Sequence, residues 1–83
     1  MKGLTVKFVG EFEDGQHFYL EKGQLALVTH PGTIERDWWL RCYCGSGGIL
    51  RGHTVESVDP VNITPSIRCP GGCHYYIRGG VIV

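Results

Sequence analysis

Leu4-Thr5-Val6-Lys7-Phe8-Val9 sets Leu4, Val6 and Phe8 on one side and Thr5 and Lys7 on the other. A period of two is that of a half-buried strand. Residues 11–15 are charged and close on Asp14-Gly15, a turn signal because glycine accepts the positive φ that hairpin turns require. The chain resumes as His17-Phe18-Tyr19-Leu20, turns again at residues 21–24, and then runs apolar through Leu25-Ala26-Leu27-Val28-Thr29. An uninterrupted apolar run of this length predicts a strand buried on both faces. His30-Pro31-Gly32 ends it, and residues 33–37 are too short for a stable helix even with Thr33 as cap, so they read as loop.

Trp38-Trp39-Leu40-Arg41 is extended, and adjacent side chains of a strand face opposite ways, so one tryptophan enters the core and the other is left partly exposed. Residues 45–48, Gly-Ser-Gly-Gly, read as a flexible connector, and residues 49–55 as a strand weakened by Gly52. Pro60 and Pro65 mark a turn followed by an extended segment, expected at a sheet edge because proline has no N–H for a ladder. Tyr75-Tyr76-Ile77-Arg78 and Val81-Ile82-Val83 flank Gly79-Gly80, the signature of a two-residue hairpin. The pattern predicts an all-β fold of short antiparallel strands and hairpins, a single domain spanning residues 1–83.

Length and cysteine content add the question of what holds so small a fold together. A chain of 83 residues buries a smaller share of its surface than a larger domain, and such scaffolds add disulfides, a metal or a partner subunit. All four cysteines lie in two glycine-flanked segments, Arg41-Cys42-Tyr43-Cys44-Gly45 and Cys69-Pro70-Gly71-Gly72-Cys73-His74. Disulfides persist in oxidising compartments, and nothing at the start of the chain resembles an export signal. No apolar run approaches the ~20 residues of a membrane-spanning helix. A cytoplasmic protein with one structural zinc ion is therefore the expectation, with disulfides or unpaired buried thiols as alternatives. Asn62-Ile63-Thr64 matches a glycosylation sequon that has no meaning without export.

Zinc takes four ligands tetrahedrally and favours thiolate sulfur. Residues 45–68, 24 in all, separate Cys44 from Cys69, enough for a strand, a turn and a return, which is the layout of a zinc ribbon and makes the all-β fold a small zinc-ribbon-like domain. The spacing is tighter than Cys-x-x-Cys in the first pair and looser in the second. Cys42, Cys44, Cys69 and Cys73 form the favoured ligand set. Cys73 and His74, as neighbours in an extended chain, point to opposite sides, so His74 is the alternative to Cys73 as fourth ligand. Zinc contributes about 10–16 kcal/mol of apparent free energy to zinc-finger peptides, against about 2–4 kcal/mol for a disulfide.

Cys42-x-Cys44-Gly45, Pro65-Ser66-Ile67 and His74-Tyr75-Tyr76-Ile77-x-x-Gly80 together resemble an uncharacterised small domain family of bacteria and their phages. Its members carry Cys-x-Cys-Gly-Cys, then Pro-Ser-Ile or Pro-Ser-Leu, then a cysteine ahead of His-Tyr-Trp-Ile-x-x-Gly-x-Val. Val6-Lys7-Phe8-Val9 and Phe18-Tyr19-Leu20 look like its first strands, so the resemblance covers nearly the whole chain. It implies a small metal-binding protein with no established enzymatic activity, in some genomes encoded near ubiquitin-like conjugation genes and in many cases carried by phages. Two departures stand out. Ser46 replaces the third cysteine of the first cluster, and Gly71 stands where the family places the cysteine of the second, which strengthens the case for His74.

Three function classes follow. The first is a non-enzymatic zinc-binding module that engages another protein through exposed aromatics drawn from Trp38, Trp39, Tyr43, Tyr75 and Tyr76. A phage or mobile-element accessory protein in the host cytoplasm, acting on a host or defence protein, is the form the resemblance implies. The second is nucleic-acid binding by a zinc ribbon through Arg41, Tyr43, Arg51, His53, Arg68 and Arg78. Eight basic residues balanced by eight acidic ones argue against affinity that comes mainly from neutralising phosphates. The third is an enzyme, with an open zinc position or a cysteine nucleophile served by His17, His30, His53 or His74. No carboxylate beside a ligand supplies its general base. A structural part in a virion or assembly, with Val81-Ile82-Val83 pairing at an edge, is a further alternative.

Overall fold

Strand-forming sequence separated by glycine turns folds into two small sheets in the computed structural model, which describes residues 1–83. The first sheet orders β1 (Lys7–Glu13), β2 (Gln24–Thr29), β3 (Arg36–Arg41) and β4 (Gly47–Ile49) side by side. The second orders β5 (Thr54–Val58), β6 (Val61–Arg68), β7 (His74–Arg78) and β8 (Val81–Ile82) in the same sequential way. No helix is long and apolar enough to cross a membrane. All pairs are antiparallel except β1 and β2, which run parallel. Parallel neighbours need a crossover, and residues 14–23 supply it. Residues 17–20, expected to extend, instead coil within it as a 3-10 turn, Gln16–Tyr19, with His17 buried.

The apolar run in β2 is buried on both faces, as its pattern requires: Leu25 and Ala26 are both fully inaccessible. Leu25 joins Leu40, Val61, Ile63, Ile67, Tyr75, Ile77 and Ile82 in a core between the sheets, into which Cys42 and Cys69 also pack. Ala26 and Val28 face the other way and join Leu20 and Trp39 in a smaller cluster. The two tryptophans divide as adjacent strand residues do, Trp39 buried and Trp38 half-buried against Phe8. Strand β3 starts at Arg36, so the loop expected for residues 33–37 is two residues shorter.

Two expectations fail for reasons of packing. Gly47 and Gly48 form β4 rather than a connector, because the absence of a side chain lets the Trp39 ring lie over the strand. A Cβ at Gly47 would overlap that ring. The segment 49–55 correspondingly breaks at residues 50–53 between β4 and β5. The proline-bearing β6 lies inside its sheet, paired on both sides, rather than at an edge. Pro65 escapes the usual penalty because it lies beyond the last β5 partner, Thr64, and within the register shift between Ile63 and Ile67 against β7. No ladder position there needs its missing N–H.

The Gly79-Gly80 hairpin forms as expected, both residues at positive φ of 59° and 79°. Residues 3–6 occupy the free edge of β8, through Gly3 N–H to the Ile82 carbonyl (2.7 Å), Ile82 N–H to the Leu4 carbonyl (2.8 Å) and Val6 N–H to the Gly80 carbonyl (2.8 Å). The chain thus begins on the second sheet and enters the first as β1. Asn62 is held within the second sheet, donating to Ser57 Oγ at 2.9 Å and accepting from Gly79 N–H at 2.8 Å.

At the far end of the first sheet His30 Nε2 lies 2.7 Å from Asp37 Oδ2, and Nδ1 lies 3.5 Å from Asp14 Oδ2. The hydrogen bond to Asp37 raises the His30 pKa, partly opposed by desolvation and reinforced by Asp14. A raised folded-state pKa means stabilisation that is complete below the unfolded value of about 6.5 and is lost as pH climbs through the folded value. Denaturant melts should therefore show a drop in stability from pH 6 to pH 8 that disappears in the Asp37→Asn variant. Gly47→Ala should destabilise the fold by about 1–3 kcal/mol through overpacking against Trp39, with loss of the tryptophan near-UV signal at lower denaturant.

Candidate metal centre

Both cysteine segments are hairpin tips, one linking β3 to β4 and the other β6 to β7, and both fold through the same backbone bonds. In the first, Cys42 N–H donates to the Ser46 carbonyl at 2.7 Å and Gly45 N–H to the Cys42 carbonyl at 2.9 Å. In the second, Cys69 N–H donates to the Cys73 carbonyl at 2.8 Å and Gly72 N–H to the Cys69 carbonyl at 2.9 Å. The glycine three residues after each leading cysteine has positive φ, 97° at Gly45 and 94° at Gly72, as a three-residue hairpin loop with a bulge demands. The leading cysteines, Cys42 and Cys69, are thereby equivalent and both buried.

The second thiol of each tip sits at a different place. Cys44 is two residues past its leader, where the other tip has Gly71, and Cys73 is four past, where the first tip has Ser46. The exchange is steric. A Cβ at Gly71 would fall 2.9 Å from Cys44 Sγ and 2.7 Å from Ser46 Oγ, so the glycine makes room for the thiol it faces. Gly71 and Ser46 thus both border the thiol cluster.

The four sulfur atoms lie within 4.8 Å of one another, and Cys44 and Cys69 are 3.5 Å apart. All four are free thiols, two buried, Cys73 half-buried and Cys44 exposed. A tetrahedral site with Zn–S bonds of 2.3 Å has sulfurs about 3.8 Å apart, so the cluster fits one ion of that kind. It is drawn from both tips at once, rather than closing within each pair. Cys73 N–H points at Cys69 Sγ, 3.3 Å away, a donor that favours a thiolate there.

The thiols' acidities diverge. Hydrogen bonds from the Ser46 hydroxyl and then its N–H, followed by one from Cys69, lower Cys44 to about 6. Burial raises Cys69, and the Cys69 sulfur followed by burial pushes Cys73 up to about 12. Burial and then Cys42 raise the Tyr75 phenol. Ionising one thiol makes ionising its neighbours harder, and a bound dication reverses this logic by stabilising every thiolate at once.

Supporting contacts fix the first tip. Arg41 donates to the Gly45 carbonyl at 2.7 Å and to the Phe18 carbonyl at 3.0 Å, with its guanidinium 5.0 Å from the Trp39 ring centroid. Tyr43 donates to the Thr5 carbonyl at 2.7 Å and lays its ring over Gly23, where a Cβ would fall 2.6 Å from its oxygen. Both residues brace the tip. Between the hairpins a cleft of about 100 Å³ borders Cys42, Cys69 and Pro70, well below the ~300 Å³ of ordinary small-molecule sites.

His74 is not brought to the thiols. It is exposed and its Nε2 bonds Ser66 Oγ at 2.8 Å, because alternation along β7 turns Tyr75 inward and His74 outward. Nor are the other histidines part of the cluster. His17 packs on Trp39 with ring centroids 5.0 Å apart, His30 is held by Asp37, and His53 faces the carbonyls of Arg51 and Ser66. The shared glycine at the third position after Cys42 and Cys69 was a readable sign of matched turns. The roles of Ser46, Gly71 and Arg41 had no local signal. Compared with protein-family models, with curated proteins and with solved structures, the chain finds no match.

Adding a methyl at Gly71 should displace Cys44. Gly71→Ala is expected to weaken metal binding about 10-fold or more, from a strain of about 1–3 kcal/mol, measured by competition with a chromophoric chelator.

Proposed function

We propose that this protein is a non-enzymatic binding module whose two sheets are clamped by one structural zinc ion held by the thiolates of Cys42, Cys44, Cys69 and Cys73. The observation that carries the reading is the meeting of four sulfurs, from hairpin tips of different sheets, within 4.8 Å. An all-thiolate tetrahedral donor set is that of structural zinc. Bound there, the ion would supply cross-linking between the sheets and charge neutralisation for the thiolates. The lack of catalysis is inferred from a ligand set that fills all four positions without leaving one for water.

The same reading draws support from the resemblance to the bacterial and phage family. Its motif residues are clamp residues or their strand neighbours: Cys42 and Cys44 on one tip, Pro65-Ser66-Ile67 in β6 leading to the other, and His74-Tyr75-Tyr76-Ile77 in β7 following it. A cytoplasmic setting, the host's if the gene is phage-borne, accords with thiols kept reduced. Of the aromatics expected to engage a partner, Trp39 and Tyr75 are buried and Trp38 and Tyr43 pack on the core, which leaves Tyr76 exposed along with Phe18 and Tyr19.

Protein purified under reducing conditions should contain one zinc per chain by elemental analysis, and chelation should abolish the cooperative melt. Cobalt substitution should give thiolate charge-transfer bands, with Cys42→Ser and Cys69→Ser losing the site and His74→Ala retaining it. Because the ligands must be deprotonated, zinc should be released progressively as pH falls from 8 to 5. A chain that holds no metal yet melts cooperatively would refute the clamp.

A further inference from the structure

We propose that the outer face of the second sheet, centred on Tyr76, binds single-stranded nucleic acid; this rests on the binding-module reading and supplies its partner class. Alternation along β7 sends Tyr75 and Ile77 into the core and leaves His74, Tyr76 and Arg78 outside. Tyr76 is 49% exposed although it lies in a strand paired on both sides. It exchanges backbone bonds with Val83 (2.9 and 3.3 Å), so the exposed Val83 lies beside it. In the neighbouring β6, Pro65 is exposed within the register shift. Tyr76 and Val83 therefore form an apolar strip on this face with a flat ring in it.

Cations flank that strip. The Arg78 guanidinium lies 5.8 Å from the Tyr76 ring centroid and is anchored by a bond to the Ile63 carbonyl at 2.8 Å. At the opposite end Arg68 pairs with His74 across β6 and β7, and Ser66 holds the His74 ring at 2.8 Å. His74 and Arg78 are four residues apart on one strand, about 13 Å.

The second half of the chain holds three of the eight basic residues, Arg51, Arg68 and Arg78, and two of the eight acidic ones. Of the eight acidic residues, Glu11, Glu13, Asp14, Glu21, Glu35 and Asp37 belong to the first half of the chain. Only Glu56 and Asp59 belong to the second, on edge strand β5 and the turn after it, so β6, β7 and β8 carry no carboxylate side chain. A face with arginines on both sides of an exposed ring and no carboxylate side chain on β6, β7 or β8 complements a phosphodiester chain whose bases stack on the ring. A ring lying on a sheet face can stack only on bases that are themselves unpaired, which selects single strands.

The test is fluorescence anisotropy of the zinc-loaded chain with labelled oligothymidylate, oligouridylate and a DNA duplex. Binding to one or both single strands over duplex is expected, weakening about 5- to 10-fold from about 50 to about 200 mM salt as roughly two phosphates are neutralised. Tyr76→Ala should weaken it about 10-fold or more, and Arg68→Glu should weaken it and flatten the salt dependence. Both sites are outside the core, and circular dichroism melts of the variants check that the fold is retained. A folded, zinc-bearing chain that binds no single strand, prefers duplex or is indifferent to Tyr76→Ala overturns the proposal and leaves the clamp standing. Tyr76-dependent binding by a folded chain without zinc overturns the clamp and leaves the surface.

Discussion

Four sulfur atoms from two hairpin tips must share a volume that one ion can fill, and much of the chain is arranged to meet that demand. The leading thiols are buried, so they belong to the core between the sheets as well as to the cluster. That core is small, and the second cluster, around Trp39, holds only four buried residues. Apolar burial here leaves a narrow margin over conformational entropy. An ion that cross-linked the tips would also restrain strands β3, β4, β6 and β7, half of the strands in the fold.

What could be read from the sequence was whatever depends on near neighbours. Glycine at residues 79 and 80 specifies a tight hairpin by itself, and the run from Leu25 to Val28 cannot be placed anywhere but between two apolar layers. Adjacent tryptophans must part company in a strand. The two cysteine segments were likewise legible as partners, because no other residues of the chain offer four soft ligands in pairs.

What could not be read depends on contacts between distant residues. Gly47 and Gly48 have the composition of a linker, and only the Trp39 ring above them explains a strand there. Pro65 argues for an edge until the β6–β7 register shift removes the need for its N–H. The preference for Cys73 over His74 turns on where β7 begins: His74 is its first residue and faces outward, and Cys73 belongs to the tip before it. Tyr76 was one aromatic among many; its exposure follows from a sheet face that nothing else in the chain covers.

The two tips share a backbone design yet place their second thiol at different steps, Cys44 early in its loop and Cys73 at the end of its own. Two such tips with their second thiols at the same step could meet a common centre as equals related by a two-fold rotation. With one thiol at the second step and the other at the fourth, that equivalence is lost, and each tip presents its second sulfur from a different part of the same turn. Loop position rather than ligand identity is therefore what distinguishes the two sides of the cluster.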